Sequence, residues 1–436
     1  MRGLASRLLC LCVLLGASAE RGNAHVGAPD VYVKAAAGPY QLLVSVHPPA
    51  ATPGVAAIDI RTEDTGVSAV TVSISGGSPQ PLQRFSTEQI FTGSVWVASS
   101  GAWRVTIHVS GNKGDSETSV PIPAAPVAAA RLLSLRELLF GLLGICLLIA
   151  LVLWVRQRWS VAVAVVLAVC AVLGVLNFLF VKPPASSMQL TLMPSGKLHI
   201  VLPGKMDDLV EDHNHLMHLF AVRQPQMDVL LHLHPVQVGP GTFEADLPSM
   251  APGAFALYAD VVHRDGRLET FAASAGLPQR TGGVLEGDDS VGVIPGLSRS
   301  QPVTGPGTTT VRLMDGYTMT LDLRAPLRAK SGQLLRFALL DPEGNPASDM
   351  RLYMGMSAHA AVLKTDGTVF AHIHPAGTIP MAAYGSNMAG MAMPSAATSQ
   401  VSFPFGFPSS GAYRVFVEMK HGTIVETAAF DLLVAP

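Results

Sequence analysis

The chain has 436 residues, 49% of them hydrophobic, and a formal net charge of −2, enough length and apolar content for about three domains with filled cores. Balanced charge without a cluster of Lys and Arg excludes a nucleic-acid partner, which needs a basic face to neutralise phosphates. Charged residues are only 14% of the chain, against about a quarter in ordinary soluble domains, a deficit that points to a membrane.

Arg2 and Arg7, an apolar stretch from Leu8 to Leu15 and then small residues form the pattern of an export signal over residues 1–24. Cleavage after Ala19 and cleavage after Ala24 both fit. The second would leave His25 as the N-terminus, where α-amine and imidazole together suit Cu(II). From residue 25 to 130, short runs such as "YQLLVSV", "VAAIDIRT" and "WRVTIHV" alternate apolar and polar between Gly and Pro, which predicts a β-sandwich. His47 and His108 read as structural or surface residues there, and only His47 is a partner for a His25 site.

The runs Leu138–Val155 and Val161–Val181 each approach the roughly 20 apolar residues that cross a bilayer, predicting a transmembrane hairpin over 131–182 with the lipid bilayer as partner. Arg156 and Arg158 in the turn mark its cytoplasmic side, so the soluble regions face the periplasm or the cell exterior. All four cysteines, Cys10, Cys12, Cys146 and Cys170, fall in the signal or in these runs. The soluble regions therefore have neither a disulfide framework nor a thiolate metal site, and a soft metal there must use His and Met.

Strand patterns resume as a His-rich unit (183–275), a Gly/Ser/Pro-rich linker (276–308) and a Met/His-rich unit (309–436). "GAWRVTIHV" from Gly101, "GAFALYADVVH" from Gly253 and "GAYRVFVEMKH" from Gly411 each carry a turn glycine, an aromatic and alternating apolar residues, as a late sandwich strand does. The expected fold is mainly β: three immunoglobulin-like or cupredoxin-like β-sandwich domains, with a two-helix transmembrane hairpin after the first.

The last two units repeat a histidine string. Laying His218 on His359 brings His232 and His234 onto His372 and His374, both before a proline, while His213 and His215 fall on Met354 and Met356. Imidazole and thioether thus exchange at matching places, and these are the neutral ligand types that copper shares. In a strand, residues i and i+2 share a face, so each His-x-His pair can hold one ion while its neighbours pack the core. His263 and His421, ten residues after their turn glycines, fall on a third strand of each unit and are expected to join the same sites. Sixteen of the 17 methionines and 11 of the 14 histidines follow residue 183. Met388, Met391 and Met393 crowd a Gly/Ala/Ser-rich loop where thioethers gain no burial, which points to a ligand. Two plainer readings stay open: a duplication copies structural histidines as faithfully as functional ones, and a Met-rich loop can be an insertion without a role.

"YMGMSAHAAVLKTDGTVFAHIHPAG" (Tyr353–Gly377) resembles a family of bacterial exported proteins with an MGxxxHxxV…FxHxHP signature, and "AHVGAPDVYVKAAAGPYQLLVSVHPP" (Ala24–Pro49) is similar to YtkA-like and CopC-like sandwiches. The resemblance implies a protein of the bacterial inner membrane that handles Cu(I) or Cu(II) in the periplasm, with a copper enzyme or copper transporter as partner. The first repeat departs from the signature, carrying "DHNHLMH" where Met-Gly stands in the second. A metal-free scaffold of three sandwiches is the competing expectation. No nucleophile elbow, phosphate loop, dinucleotide fingerprint or His-Glu-x-x-His motif is present, so an enzyme would have to work by metal-centred redox chemistry.

Overall fold

The structure is a computed structural model that describes residues 25–26, 30–125, 188–380 and 396–436, with short breaks at 49–53, 76, 86–88, 99–100, 205, 265, 282–284, 286 and 295–301. The expected export signal, both apolar runs of the hairpin, and Met388, Met391 and Met393 lie outside these residues. Among the described residues no helix is long and apolar enough to cross a membrane. What is described is mainly β: six sheets, paired face to face around three apolar cores.

The described chain divides into two units, Asp30–Val291 with Ile379, and Gly292–Thr378 with the C-terminal stretch to Pro436 and the short strand β1 (His25–Val26). The first unit holds two of the cores. In its N-terminal half a five-stranded sheet that includes Tyr40–His47, Gly54–Thr62 and Ile90–Val97 faces a four-stranded sheet built on Val67–Ile74 and Gly101–Gly111. Val44, Ile58, Ile60, Val72 and Ile107 meet between them, as the alternation of these runs requires, and Ile379 packs into the same core.

In the second half of that unit, a sheet contains β2 (His218–Gln224), β3 (Val229–Leu233), β4 (Gly253–His263) and β5 (Ser290–Val293), in the spatial order Leu209–Val210, β4, β2, β3, β5. Leu219 and Ala221 of β2, Leu231 and Leu233 of β3, and Leu257, Ala259 and Val261 of β4 face the core. A strand alternates its side chains strictly, so His218, Phe220, His232 and Asp260 point to the opposite face. The span expected as a linker, 276–308, is therefore partly structured: β5 closes the edge of this sheet beside β3.

The second unit repeats the plan with β6 (His359–Lys364), β7 (Val369–Ile373) and β8 (Gly411–His421), in the order β1, β7, β6, β8, Met350–Arg351, with Ile424–Val434 also on β8. Ala360, Val362, Ala371, Ile373, Val415 and Val417 face its core, leaving His359, His372 and Glu418 on the opposite face. Cross-strand registers match as well. His218 lies opposite Asp260 and His359 opposite Glu418.

Before each histidine-bearing strand the chain makes the same tight turn. Asp212 and His215 exchange backbone hydrogen bonds of 2.9 and 3.0 Å, and Tyr353 and Met356 exchange bonds of 2.8 and 3.0 Å. Both central residues are left-handed in each case, His213 (φ 53°) with Asn214 (φ 69°), and Met354 (φ 49°) with Gly355 (φ 75°). That is the type I′ geometry that Asn and Gly favour at their shared second position. The alignment of His213 with Met354 and His215 with Met356 is thus an equivalence of backbone as well as of letters.

Candidate metal centre

His218, His232 and His234 converge in the first unit, with ligand nitrogens that all lie within 4.8 Å of one another. His218 opens β2, His232 sits in β3 directly across from Phe220, and His234 follows one residue past the strand end, so the i, i+2 pair faces the first residue of the neighbouring strand. Nδ1 of His218 is 3.3 Å from Nε2 of His232. With metal–nitrogen bonds of about 2.0–2.1 Å, two ligands of one tetrahedral ion stand about 3.3 Å apart, so this pair already has the spacing. His232 is fully buried and stacks on Phe220 at 4.1 Å.

Acceptors around the triad set which nitrogens carry hydrogen. The carbonyl oxygen of Asp212, in the tight turn, lies 3.0 Å from Nε2 of His218. A carbonyl only accepts, so Nε2 holds the proton and Nδ1 presents its lone pair toward His232. Asp289 Oδ1 accepts from the backbone N–H of His234 at 2.8 Å and lies 3.0 Å from its Nδ1. Nε2 of the same ring is buried and makes no hydrogen bond among the described residues. Burial holds the His234 imidazole below its ordinary pKa against the pull of Asp289, which favours the neutral form that binds metals. His215 stacks on His234 at 3.9 Å and reaches Asp288 Oδ2 at 3.4 Å, while the ring of His213 lies 6.1 Å from that of His218.

In the second unit His359, His372 and His374 are brought together in the same way, with ring centroids 5.5, 5.1 and 4.4 Å apart pairwise. All three are buried, as are Met354 and Met356 in the turn that precedes β6. Tyr353 sets its ring edge-on to His359 at 5.4 Å.

His263 and His421 do not join these groups. Each is last in its strand and has the parity of the core face, Val261 with His263 and Met419 with His421, opposite to that of the triads. Carboxylates take both ring nitrogens instead: Asp208 at 2.8 Å and Glu269 at 3.0 Å for His263, Asp349 at 3.2 Å and Asp315 at 3.0 Å for His421. Glu426 completes the acids around His421, with Oε1 3.9 Å from its Nε2, and Tyr317 stacks on the ring at 3.9 Å. These imidazoles are held by acids at strand ends, and Asp315, His421 and Glu426 form a separate group that could hold an ion, with ligand atoms all within 4.8 Å of one another. The backbone of His25 pairs in parallel with Val369, three residues short of His372, and at about 3.3 Å per residue that is about 10 Å along the sheet. His47 is held by Asp30 at 3.1 Å and Asp59 at 3.5 Å. Those hydrogen bonds raise its pKa to about 9 and favour the charged form, which has no lone pair to offer.

Acids are what the sequence reading missed. Asp260 and Glu418 each stand seven residues after the turn glycine of their strand and are almost wholly buried, 2% and 1% exposed. Burial pushes the Asp260 carboxyl up to about 7. A carboxylate inside a run as apolar as "FALYADVV" was the available signal, since an acid rarely sits in a strand buried on both faces. Asp288 and Asp289 carried a fainter signal, being the adjacent acids of a segment otherwise rich in glycine.

A family model for a domain of unknown function, DUF8832, matches residues 309–436, the second unit's sandwich. No curated protein matches the chain. Among solved structures, a Salmonella alpha-2-macroglobulin mutant is similar at 11% identity and a TM-score of 0.21, over 95% of this chain and 24% of its own length. The BSP domain of a biofilm-associated protein aligns at 7% identity and a TM-score of 0.17, over 98% and 69% of the two chains. Yersinia pseudotuberculosis InvD aligns at 9% and 0.15, over 88% and 95%. At such scores the likeness carries no functional argument.

Proposed function

We propose that this chain is a metal-binding protein of the bacterial envelope, with copper as its metal and buffering, carriage or delivery to a copper enzyme or transporter as its role. The observation that carries the reading is the convergence of His218 and His232, both buried, with His234, whose side chain is 3% exposed, on the non-core face of a sheet with ligand nitrogens within 4.8 Å. Burying three polar rings in one place costs free energy unless they are satisfied together, and one cation would satisfy all three. The second cluster, His359, His372 and His374, supports the reading by repeating the arrangement beside two methionines. Imidazole accepts Cu(II) or Zn(II) and thioether favours Cu(I), so the second site is the softer of the two.

The finer architecture belongs to the same proposal: immunoglobulin-like or cupredoxin-like sandwiches, the first YtkA-like or CopC-like, carried on a transmembrane hairpin at 138–155 and 161–181 that keeps them in the periplasm. Metal analysis of the full-length protein purified after growth in copper tests the function. Copper bound in the parent and lost from His218→Ala/His232→Ala/His234→Ala combined with His372→Ala/His374→Ala is the expected result. A metal-free parent with no thermal shift on adding Cu(II) or Cu(I) refutes it and favours a scaffold role.

A further inference from the structure

Asp288 and Asp289 lie in a stretch whose composition reads as linker, yet each touches a histidine of the first cluster. Asp289 Oδ1 accepts from the backbone N–H of His234 and stands 3.0 Å from its Nδ1, and Asp288 Oδ2 is 3.4 Å from Nε2 of His215, the ring stacked on His234. β5, which begins at the next residue, holds this pair in place by pairing beside β3. We infer that Asp289 is the positioning residue of the His218–His232–His234 site and that, with Asp288, it makes the site one for divalent rather than monovalent cations. This inference rests on the metal-binding reading above.

The geometry gives two reasons. First, an ionised carboxylate only accepts hydrogen bonds, so the Nδ1 of His234 facing it carries the proton and the lone pair is left on Nε2. That nitrogen is the buried one without a hydrogen bond among the described residues, and it belongs to the triad. A ligating histidine that donates its other N–H to a carboxylate or carbonyl is oriented and made more basic by it, and His218 is held equivalently by the Asp212 carbonyl. Second, three neutral imidazoles bring no charge to the metal, whereas the Asp288–Asp289 pair brings two negative charges next to it. A divalent ion offsets both of those charges and a monovalent ion only one. Asp289 is the more enclosed of the pair, with about a fifth of its side chain exposed, so water screens its charge less.

The test uses the full-length protein with His359→Ala, His372→Ala and His374→Ala together with Met354→Leu, Met356→Leu, Met388→Leu, Met391→Leu and Met393→Leu, which removes the other proposed ligands of the repeats and leaves the first cluster to be read, and the redox-silent probes Zn(II) and Ag(I) in competition titrations. Asp289→Asn keeps an acceptor oxygen and removes the charge. It should lower Zn(II) affinity about 10–100-fold, the usual cost of losing an outer partner, and change Ag(I) affinity less than about threefold. Asp289→Ala should lower both, and in the metal-free protein the imidazole ¹⁵N shifts of His234 should move from the Nδ1–H tautomer toward a mixture. Unchanged Zn(II) affinity in Asp289→Asn, equal losses for Zn(II) and Ag(I), or unmoved ¹⁵N shifts in Asp289→Ala would overturn the inference. Failure of the parent to take up either ion would instead refute the metal-binding reading.

Discussion

Replacing His232 by Phe separates the packing role of this ring from its role as a ligand. The side chain is fully buried and stacked on Phe220 at 4.1 Å, so a phenyl ring fills the same slot and keeps the stack. What it removes is Nε2, the partner of His218 Nδ1 at 3.3 Å. Losing that hydrogen bond should cost the metal-free protein only about 1 kcal/mol. The metal-linked effect is larger. A ligand at 100 times its Kd stabilises the native state by about 2.7 kcal/mol, which is about 100-fold in the population of open states. Two remaining imidazoles should bind at least 100-fold more weakly, so at the same metal concentration the stabilisation falls to about 0.4 kcal/mol, or about twofold. Hydrogen-exchange mass spectrometry resolves this by segment: Zn(II) should slow exchange in peptides spanning His218–Leu233 about 100-fold in the parent and about twofold in His232→Phe. Equal protection in both proteins would refute the assignment of His232 as a ligand.

Other consequences are independent of metal. Asp30 and Asp59 hold the folded pKa of His47 at about 9, above its unfolded value of about 6.5. Its contribution is therefore complete below about pH 6.5 and disappears as pH rises through 9, and the full linkage value of about 3 kcal/mol shrinks to about 1–2 kcal/mol under solvent screening. His47→Gln should flatten that decline, as read by pulse proteolysis of N-terminal fragments. Asp260 gives a slope of the same sign in a lower window, as a penalty rather than a lost gain: with a folded pKa of about 7 it costs stability progressively from about pH 4 to 7, up to about 4 kcal/mol. Asp260→Asn should abolish that slope, and a slope that persists in the variant would show that another group carries it. Gly355→Ala places a Cβ at φ 75° and should cost about 1 kcal/mol. Gly355→Asn should cost less, since Asn214 occupies the equivalent position at φ 69°, and urea midpoints compare the two.

Strand content and core residues were legible because alternation is a local signal. "WRVTIHV" and "FALYADVV" declare their buried faces without reference to anything distant. The His-x-His pairs were legible for the same reason, since i and i+2 share a face in any strand. Recruitment of His218 was legible only through the repeat, because nothing local to His218 tells which strand lies beside it. The placement of His263 and His421 failed at a parity: the offset of ten from the turn glycine is even, as is that of core residues such as Val261, whereas the face of the triads is the odd one, marked by Asp260 and Glu418 at offset seven. β5 and its two acids were missed because four strand residues inside a glycine-rich span leave no periodicity to detect, and their pairing beside β3 is settled by contacts far apart in the sequence.

The triads sit on the sheet face turned away from the hydrophobic core, and that has a consequence for how such proteins diverge. Under the metal-binding function proposed above, substitutions among His213, His215 and their counterparts Met354 and Met356 would change the donor atoms offered to a cation while leaving the apolar alternation of the strands untouched. On that proposal, a duplicated domain of this plan could drift from nitrogen to sulfur donors one residue at a time without altering its core face, so that preference among oxidation states would become a trait selected apart from the packing of the sandwich.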